Sequence, residues 1–296
     1  MSIFTKTFSK TLDRRAALGA LAGAALIAGA AITASPLHAA GAPDRLTVDW
    51  AYYNPVSLVL KEQGLLEEEF AKDGTEIRWV QSHGSNKAIE FLNSGSVDFG
   101  STAGAAALLA HINGAPINAI YVYSKPEWTA LVTTKDSTIN SIADLKGKRI
   151  AVTRGTDPHI FLIRALAEGG LTERDVKEVL LQHADGGRAL LRGDVDAWAG
   201  LDPMMAAAEL ESGARLFYRN ADLNTYGFLN VRTAFAEEHP DTVVRVLATY
   251  EKARRWSLDN PDKLAAILEK AAGVTADVAK RQLGERTDLK NPIIGP

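Results

Sequence analysis

Residues 149–170 read Arg-Ile-Ala-Val-Thr-Arg-Gly-Thr-Asp-Pro-His-Ile-Phe-Leu-Ile-Arg-Ala-Leu-Ala-Glu-Gly-Gly, and this stretch decides the fold class. Its first four residues are typical of a strand, and the Arg-Gly-Thr-Asp that follows has the composition of a turn. Pro158 suits the first position of a helix, and Gly169 suits its end. The stretch therefore predicts a strand that passes through a short polar turn into a helix.

The same alternation extends outward from this stretch in both directions. Hydrophobic periodicity predicts strands at 45–52, 76–80, 97–100, 117–123, 128–133, 149–152, 179–181, 197–200 and 226–232, and helices at 56–63, 65–70, 85–92, 103–112, 142–147, 158–168, 187–192 and 204–212. Beyond them the chain is almost entirely helical, and Pro240 and Pro261 mark two helix starts there. Two such blocks and a helical tail predict an α/β fold of two lobes. We expect lobe 1 to comprise residues 44–127 and 228–296, and lobe 2 residues 128–227.

Composition narrows the class of protein. The 296 residues are 46% hydrophobic and 23% charged, which excludes a mainly disordered chain. Cysteine is absent, which excludes disulfides, thiolate metal sites and a cysteine nucleophile.

The first forty residues have the pattern of an export signal. A basic start is followed by an uncharged run at 16–37 and by small residues at 38–41, so we expect cleavage after Ala39 or Ala40 and a periplasmic protein. The pair Arg14-Arg15 suggests the twin-arginine route. Removal of residues 1–40 leaves 29 basic and 35 acidic residues, a net charge of −6. The mature chain thus lacks the basic excess of many nucleic-acid-binding proteins, and no nucleic-acid partner is expected.

The usual motifs of enzymes are missing. The sequence contains no phosphate-binding loop, no dinucleotide fingerprint, no His-Glu-x-x-His and no Gly-x-Ser-x-Gly. The histidines of the mature chain are scattered singly, at positions 83, 111, 159, 183 and 239. We therefore expect no catalytic residues, no metal site and no cofactor.

Three polar turns lie where a predicted strand enters a helix: Ser82-His-Gly-Ser-Asn86, Gly100-Ser-Thr-Ala103 and Arg154-Gly-Thr-Asp157. Helix N-termini offer unpaired N–H groups and a partial positive charge, and glycine lets a ligand approach the backbone. Together the turns could hold a small oxyanion, although each Ser or Thr could equally cap only its own helix. The aromatic residues Tyr52, Tyr53, Trp128 and Trp198 lie near predicted strand ends and could supply an apolar wall, or could belong to the core.

Several motifs in order carry a family resemblance. They are Leu92–Gly100, Ile142–Val152, Arg154-Gly-Thr156, Gly193–Trp198 with Asp202-Pro203, and Phe235–Pro240. With them the chain resembles the periplasmic substrate-binding proteins of ABC transporters for aliphatic sulfonates and taurine, which are related to nitrate-binding proteins. The resemblance implies a type II periplasmic-binding-protein-like fold, in which two crossing strands join two α/β lobes and the ligand is held between them.

The resemblance also implies a site and partners. The implied ligand-binding residues are Tyr53, Gly84, Ser85, Asn86, Ser101, Thr102, Trp128, Gly155, Thr156, Asp157, Trp198 and Asp202. Asp202 would favour the ammonium group of taurine, or would cap the helix after Pro203. The implied partners are a small sulfonate and an inner-membrane ABC permease with its ATPase, with the receptor itself a monomer.

The sequence departs from the family pattern at two places, and it also allows other functions. Ala199-Gly-Leu201 stands where bulkier residues are common, which predicts a wider pocket for the ligand tail, and the chain ends at Pro296, before a further helix that relatives would carry. The same fold could bind nitrate, an aromatic carboxylate or a thiamine precursor. Two further alternatives are an enzyme that makes the thiamine pyrimidine and a sensor domain.

Overall fold

The computed structural model describes residues 41–294. The segment assigned to export, residues 1–40, lies outside this range, so the cleavage position and the twin-arginine route remain predictions. Among the helices of the described residues, none has both the length and the apolar character needed to span a bilayer.

Strands and helices alternate along the first two thirds of the chain, and helices dominate the last third. The strands are β1 (Arg45–Trp50), β2 (Glu76–Gln81), β3 (Phe99–Ala103), β4 (Ile117–Pro126), β5 (Leu131–Thr133), β6 (Arg149–Val152), β7 (Lys177–Leu180), β8 (Ala197–Ala199), β9 (Arg215–Tyr218), β10 (Gly227–Arg232), β11 (Thr287–Asp288) and β12 (Ile293–Ile294). The helices are α1 (Pro55–Gln63), α2 (Leu65–Phe70), α3 (Ser85–Asn93), α4 (Gly104–Ile112), α5 (Asp157–Glu168), α6 (His183–Arg192), α7 (Met204–Ser212), α8 (Thr233–Glu238), α9 (Pro240–Asp259), α10 (Pro261–Ala272) and α11 (Ala276–Lys280). Pro240 and Pro261 begin α9 and α10, as their sequence positions predicted.

Two mixed sheets form the frame of the molecule. The sheet of lobe 1 has the order β11-β4-β10-β3-β1-β2, and β12 also pairs with β4. The sheet of lobe 2 has the order β7-β6-β8-β5-β9. Strand β10 follows all the strands of lobe 2 in the chain, yet it lies antiparallel between β3 and β4. The chain therefore leaves lobe 1 along residues 127–130 and returns along 219–226, which we call the crossing segments.

Each lobe has its own apolar core. In lobe 1, Phe99 and Tyr121 of the sheet pack with Phe70 and Tyr250 of the covering helices. In lobe 2, Phe161 of α5 packs with other buried residues on one side of the sheet. Full burial of such side chains stabilises the fold by about 1.5–3 kcal/mol each.

The fold differs from the sequence prediction in the second lobe. Helix α6 begins at His183 rather than at Gly187, and the predicted strand at 128–133 is formed only from Leu131. Strand β9 was not predicted. The start of α6 was placed too late because its first half contains two glycines, which disfavour a helix. Packing requires them: a Cβ would lie 2.8 Å from the ring of Trp198 at Gly186 and 3.2 Å from it at Gly187.

Candidate ligand-binding cleft

Four helix N-termini meet at one small cavity between the lobes. Ser85 begins α3 and Ala103 precedes α4, both in lobe 1, while Thr156 precedes α5 and His183 begins α6, both in lobe 2. The cavity measures about 10 Å³ and is lined by Tyr53, Ser85, Ala103, Trp128, Thr156, Asp157, Pro158, His183 and Leu201. Because the first N–H groups of a helix lack intrahelical partners, each helix end directs partial positive charge at the cavity, whose lining also includes the carboxylate of Asp157. Among the described residues that line it, none is a lysine or an arginine.

The two lobes approach each other closely beside this cavity. A Cβ added at Gly84 of lobe 1 would lie 2.8 Å from His183 Nε2 of lobe 2. A Cβ added at Gly155 of lobe 2 would lie 3.7 Å from the Cβ of Asn86 in lobe 1. Gly84 and Gly155 also have positive φ angles, 147° and 76°, which side chains disfavour. A side chain at position 84 would therefore obstruct the close approach of the lobes, whereas at position 155 the φ angle is what favours glycine.

His183 faces the cavity as a neutral hydrogen-bond acceptor. Thr153 Oγ1 donates to the backbone oxygen of Leu181 at 2.7 Å and lies 3.1 Å from His183 Nδ1, so Nδ1 must carry the proton that is shared with Thr153. Burial lowers the pKa of His183 to about 3. His183 Nε2 is buried without a hydrogen-bond partner among the described residues. The His183 ring is therefore uncharged at neutral pH and adds no positive charge to the cavity.

Tyr53 and Trp128 form the aromatic wall. Their rings meet edge to face, with centroids 6.0 Å apart. The Tyr53 hydroxyl donates to the backbone oxygen of Ser101 at 2.9 Å, and Trp128 Nε1 donates to Asp157 at 2.7 Å. With their polar atoms occupied, both rings offer apolar surface to the cavity.

A second, larger cavity adjoins the first. It measures about 380 Å³ and shares Tyr53, His183 and Leu201 with the small one. Its other lining residues are Tyr52, Ser82, His83, Lys87, Phe91, Gln182, Ala184, Asp185, Asp202 and Met204. The small cavity has room for about one water molecule. An anionic group at the helix N-termini would therefore need the lobes to move apart there, while the larger cavity has room for a tail beside it.

The structure brings most of the predicted site residues to these cavities. Tyr53, Ser85, Trp128, Thr156 and Asp157 line the small one, and Asp202 lines the large one. Gly84, Asn86 and Gly155 lie where the lobes approach.

Trp198, Ser101 and Thr102 were also predicted to contact the ligand, and they lie outside the lining of both cavities. Trp198 is fully buried in the core of lobe 2, against α6. The Ser101 hydroxyl donates to Asp49 at 2.7 Å and accepts from Asn54 at 2.7 Å, which holds the loop of Tyr53 in place. Thr102 Oγ1 accepts from Asn230 at 2.8 Å within the sheet of lobe 1. Their side chains are engaged within the protein, and ligand contact by these three residues stays a prediction.

The two predicted acidic contacts are engaged within the protein. Asp157 accepts from Trp128, from the backbone of Thr225 at 2.9 Å and from the hydroxyl of Thr225 at 2.7 Å, and burial raises its pKa. Asp202 lies 3.2 Å from Arg286 Nη1. From one residue before the N-cap, Pro203, it also accepts from the backbone N–H of Ala206 in the first turn of α7. Burial raises the pKa of Asp202 to about 6 despite the arginine. Of the two roles considered for Asp202, the helix cap is the one that the contacts support.

Sequence reasoning missed His183 and the whole N-terminus of α6. The signal was present, because β7 enters α6 through a polar turn at Gln182-His183, as at the three turns that were recognised. Ala103 was also missed as a lining residue, since its contribution is that of the backbone at the start of α4.

Comparisons with known proteins identify the family of this chain. Residues 68–264, more than half of the chain, match the family described as NMT1/THI5 like. A protein of Escherichia coli (strain K12), named for the binding of aliphatic sulfonates, is 32% identical over 250 residues, which cover 84% of this chain and 78% of that protein. The chain therefore belongs to the NMT1/THI5-like family.

Two further relatives extend the comparison. The taurine-binding periplasmic protein of Escherichia coli (strain K12) is 30% identical over 203 residues, covering 66% of this chain and 62% of that protein. The structure of the alkanesulfonate-binding protein SsuA from Xanthomonas axonopodis pv. citri, bound to MOPS, has a TM-score of 0.77 and 30% identity, covering 82% of this chain and 84% of that one. The two-lobed α/β fold and the resemblance expected from the sequence are confirmed.

Proposed function

We propose that this protein is an exported receptor that binds an alkanesulfonate and delivers it to an ABC importer. The observation that carries the proposal is the convergence of four helix N-termini on one cavity without a lysine or arginine in its described lining. Such a site suits a weakly basic oxyanion, which accepts hydrogen bonds from N–H groups and needs no full counter-charge. The relatives named above are binding proteins, which supports a receptor rather than an enzyme.

The larger cavity supports an organic tail on the anion. Tyr52, Phe91 and Met204 give it apolar surface, and about 380 Å³ exceeds what an inorganic anion needs. Nitrate and sulfate would leave this space to water, whereas an alkyl chain would fill it and gain about 25 cal/mol for each Å² of apolar surface buried.

An alkanesulfonate is favoured over taurine because the acidic groups near the cavity are occupied. Asp202 is paired with Arg286, and Asp185 with Arg188 at 2.5 Å. An ammonium group on the ligand would have to compete with an arginine for either carboxylate. We therefore propose that the receptor, as a monomer, prefers uncharged tails.

Calorimetric titration of ligand-free protein with ethanesulfonate, taurine and sulfate tests the proposal. We expect ethanesulfonate to bind with roughly micromolar affinity, about 8 kcal/mol, taurine more weakly, and sulfate not measurably. If taurine bound best, one of the paired carboxylates would have to be released. If none of the three bound, the sulfonate assignment would fail.

A pair of serine variants tests whether the anion lies at the helix N-termini. The Ser85 hydroxyl accepts from the backbone N–H of Ala103 at 2.9 Å, so its own proton is available to a ligand in the cavity that Ser85 lines. Ser85→Ala should weaken ethanesulfonate binding by about tenfold, the value of one charge-assisted hydrogen bond, about 1.4 kcal/mol. Ser94→Ala is the matched control, because Ser94 lies at the exposed far end of α3. Equal dissociation constants for the two variants would place the anion elsewhere.

A further inference from the structure

A second cluster of polar side chains lies in lobe 2, apart from the two cavities of the cleft. His159 projects from the first turn of α5, Glu173 from the short helical turn Glu173–Asp175, and Glu178 from β7. One ligand atom from each residue lies within 4.8 Å of the other two. From these three residues we infer a binding site for a divalent transition-metal ion, with zinc as the ion that its ligands suit.

The distances in this cluster suit a shared cation better than direct hydrogen bonds. His159 Nε2 lies 3.6 Å from Glu173 Oε1 and 3.5 Å from Glu178 Oε1. Both separations exceed the usual range of an N–H···O hydrogen bond. Ligands bound tetrahedrally at the usual zinc distances are about 3.3–3.4 Å apart. The two distances from His159 are thus close to this value, and the two glutamate oxygens, which lie within 4.8 Å of each other, would draw together around the ion to complete three corners of a tetrahedron.

Burial supplies a second, independent observation. His159 is only 9% exposed. His159 Nε2 and Glu178 Oε1 are both buried, and neither has a hydrogen-bond partner among the described residues. Buried polar atoms without partners are rare because each costs free energy. One cation between the two atoms would satisfy both, and the half-exposed Glu173 would leave a way in from solvent.

The neighbouring groups define the charge and the preference of the site. One imidazole nitrogen and two carboxylates form a ligand set typical of zinc, with a fourth position open for water. Arg154 lies 3.8 Å from Glu178 Oε2 with an exposed side chain, so it can move away when a cation binds. Asp175 is not a member of this cluster, and its Oδ2 accepts from the backbone N–H and the hydroxyl of Thr172. The sequence did not reveal the site, because its ligands come from three separate elements.

Calorimetric titration of chelator-treated, untagged full-length protein with zinc chloride tests this inference. We expect one zinc ion per chain. Glu173→Gln, an isosteric change on an exposed side chain, should weaken zinc binding at least tenfold, since loss of even an outer-shell partner typically costs 10–100-fold. Glu237→Gln makes the same change of charge at an exposed position of α8 and should bind zinc as the unaltered chain does.

A second variant separates coordination from general attraction to acidic side chains. His159→Gln removes the nitrogen ligand without changing either carboxylate, and it should also weaken binding at least tenfold; circular dichroism checks that the variant is folded. Zinc binding that Glu173→Gln leaves unchanged, or the absence of a one-to-one event in the unaltered chain, would overturn the inference. Because none of these titrations contains a sulfonate, the result is independent of the proposed function.

Discussion

At the scale of single residues, His183 shows how burial sets the protonation of the cleft. Its pKa is lowered to about 3, whereas the same side chain in the unfolded chain titrates near 6.5. Between these values the unfolded state binds more protons than the folded state. The contribution of His183 to stability is therefore fully present above about pH 6.5 and is lost progressively as the pH falls toward 3.

His183→Gln should weaken this dependence of stability on pH. The variant cannot gain the proton, so its free energy of unfolding should fall less steeply on acidification, by about 1.4 kcal/mol for each pH unit below 6.5. Asp49 and Asp202, whose pKa values burial raises to about 6, act in the opposite direction, but they titrate in both proteins and cancel in the comparison. Urea unfolding at about pH 6.5, 5.5 and 4.5 measures the difference. Parallel curves would show that His183 is charged in the folded protein.

Substitution of Asp202 tests whether this residue serves the stability of the fold or the choice of ligand. It is fully buried beside Arg286, which is 3% exposed and also binds Glu209 at 2.5 Å. Asp202→Asn keeps the shape but removes one of the two negative partners of a buried arginine. We expect a loss of about 3 kcal/mol in the free energy of unfolding, the low end for a broken buried pair because Glu209 remains.

The same variant should leave the ratio of ethanesulfonate to taurine affinity unchanged, since Asp202 is engaged by Arg286 and by α7. Titration of both ligands against Asp202→Asn measures that ratio. A selective loss of taurine binding would show that Asp202 faces the ligand after all.

At the scale of elements, α6 depends on glycines that a helix normally disfavours. A Cβ at Gly186 would lie 2.8 Å from Trp198 Nε1, while a Cβ at Gly187 would lie 3.2 Å from the same ring. Gly186→Ala should therefore destabilise the protein by about 1–3 kcal/mol through overpacking, although alanine is the better helix former. Gly187→Ala gains the same propensity with a milder contact and should cost less. Thermal unfolding of both variants gives the comparison, and equal midpoints would contradict the close packing of α6 on Trp198.

Local signals predicted elements well where they acted alone. Pro240 and Pro261 mark the starts of α9 and α10, and Gly64 caps α1 in a left-handed conformation, as its position suggested. The start of α6 could not be predicted from local signals. Glycine is needed at position 186 because Trp198, twelve residues further along the chain, packs against it, and only the folded lobe shows that contact.

The same distinction holds for the site. Three of the four helix N-termini could be found from polar turns after strands, since each turn is local. Which side chains are free to bind could not be found, because their partners are remote: Ser101 is engaged by Asp49, and Asp157 by Thr225. The residue types in the turns predicted where the site lies. Hydrogen bonds between residues far apart in the chain decide which side chains of the site remain able to bind a ligand.

At the scale of the whole molecule, one chain of hydrogen bonds links both lobes to both crossing segments. The backbone N–H of Ala105, in α4 of lobe 1, donates to Thr225 Oγ1 at 3.2 Å. Thr225, in the second crossing segment, donates to Asp157 at the start of α5 in lobe 2. Trp128, in the first crossing segment, donates to the same carboxylate. The hydroxyl of Thr225 thus joins the lobes at the cleft, in addition to the ion pairs of Arg286 in lobe 1 with Asp202 and Glu209 in lobe 2.

Thr225→Val should shift the ligand-free protein toward an open cleft. The substitution keeps the shape of the side chain but removes the hydroxyl, so Ala105 loses an acceptor and Asp157 loses a donor, and both groups regain hydrogen bonds only by admitting water. We expect a larger radius of gyration in solution scattering without ligand, a return to the compact value with saturating ethanesulfonate, and an affinity lowered by the fraction of molecules that stay closed. Thr225→Ser keeps the hydroxyl and is the matched control. If valine weakened binding without changing the ligand-free radius, the hydroxyl would act on the ligand site and not on the balance between open and closed forms.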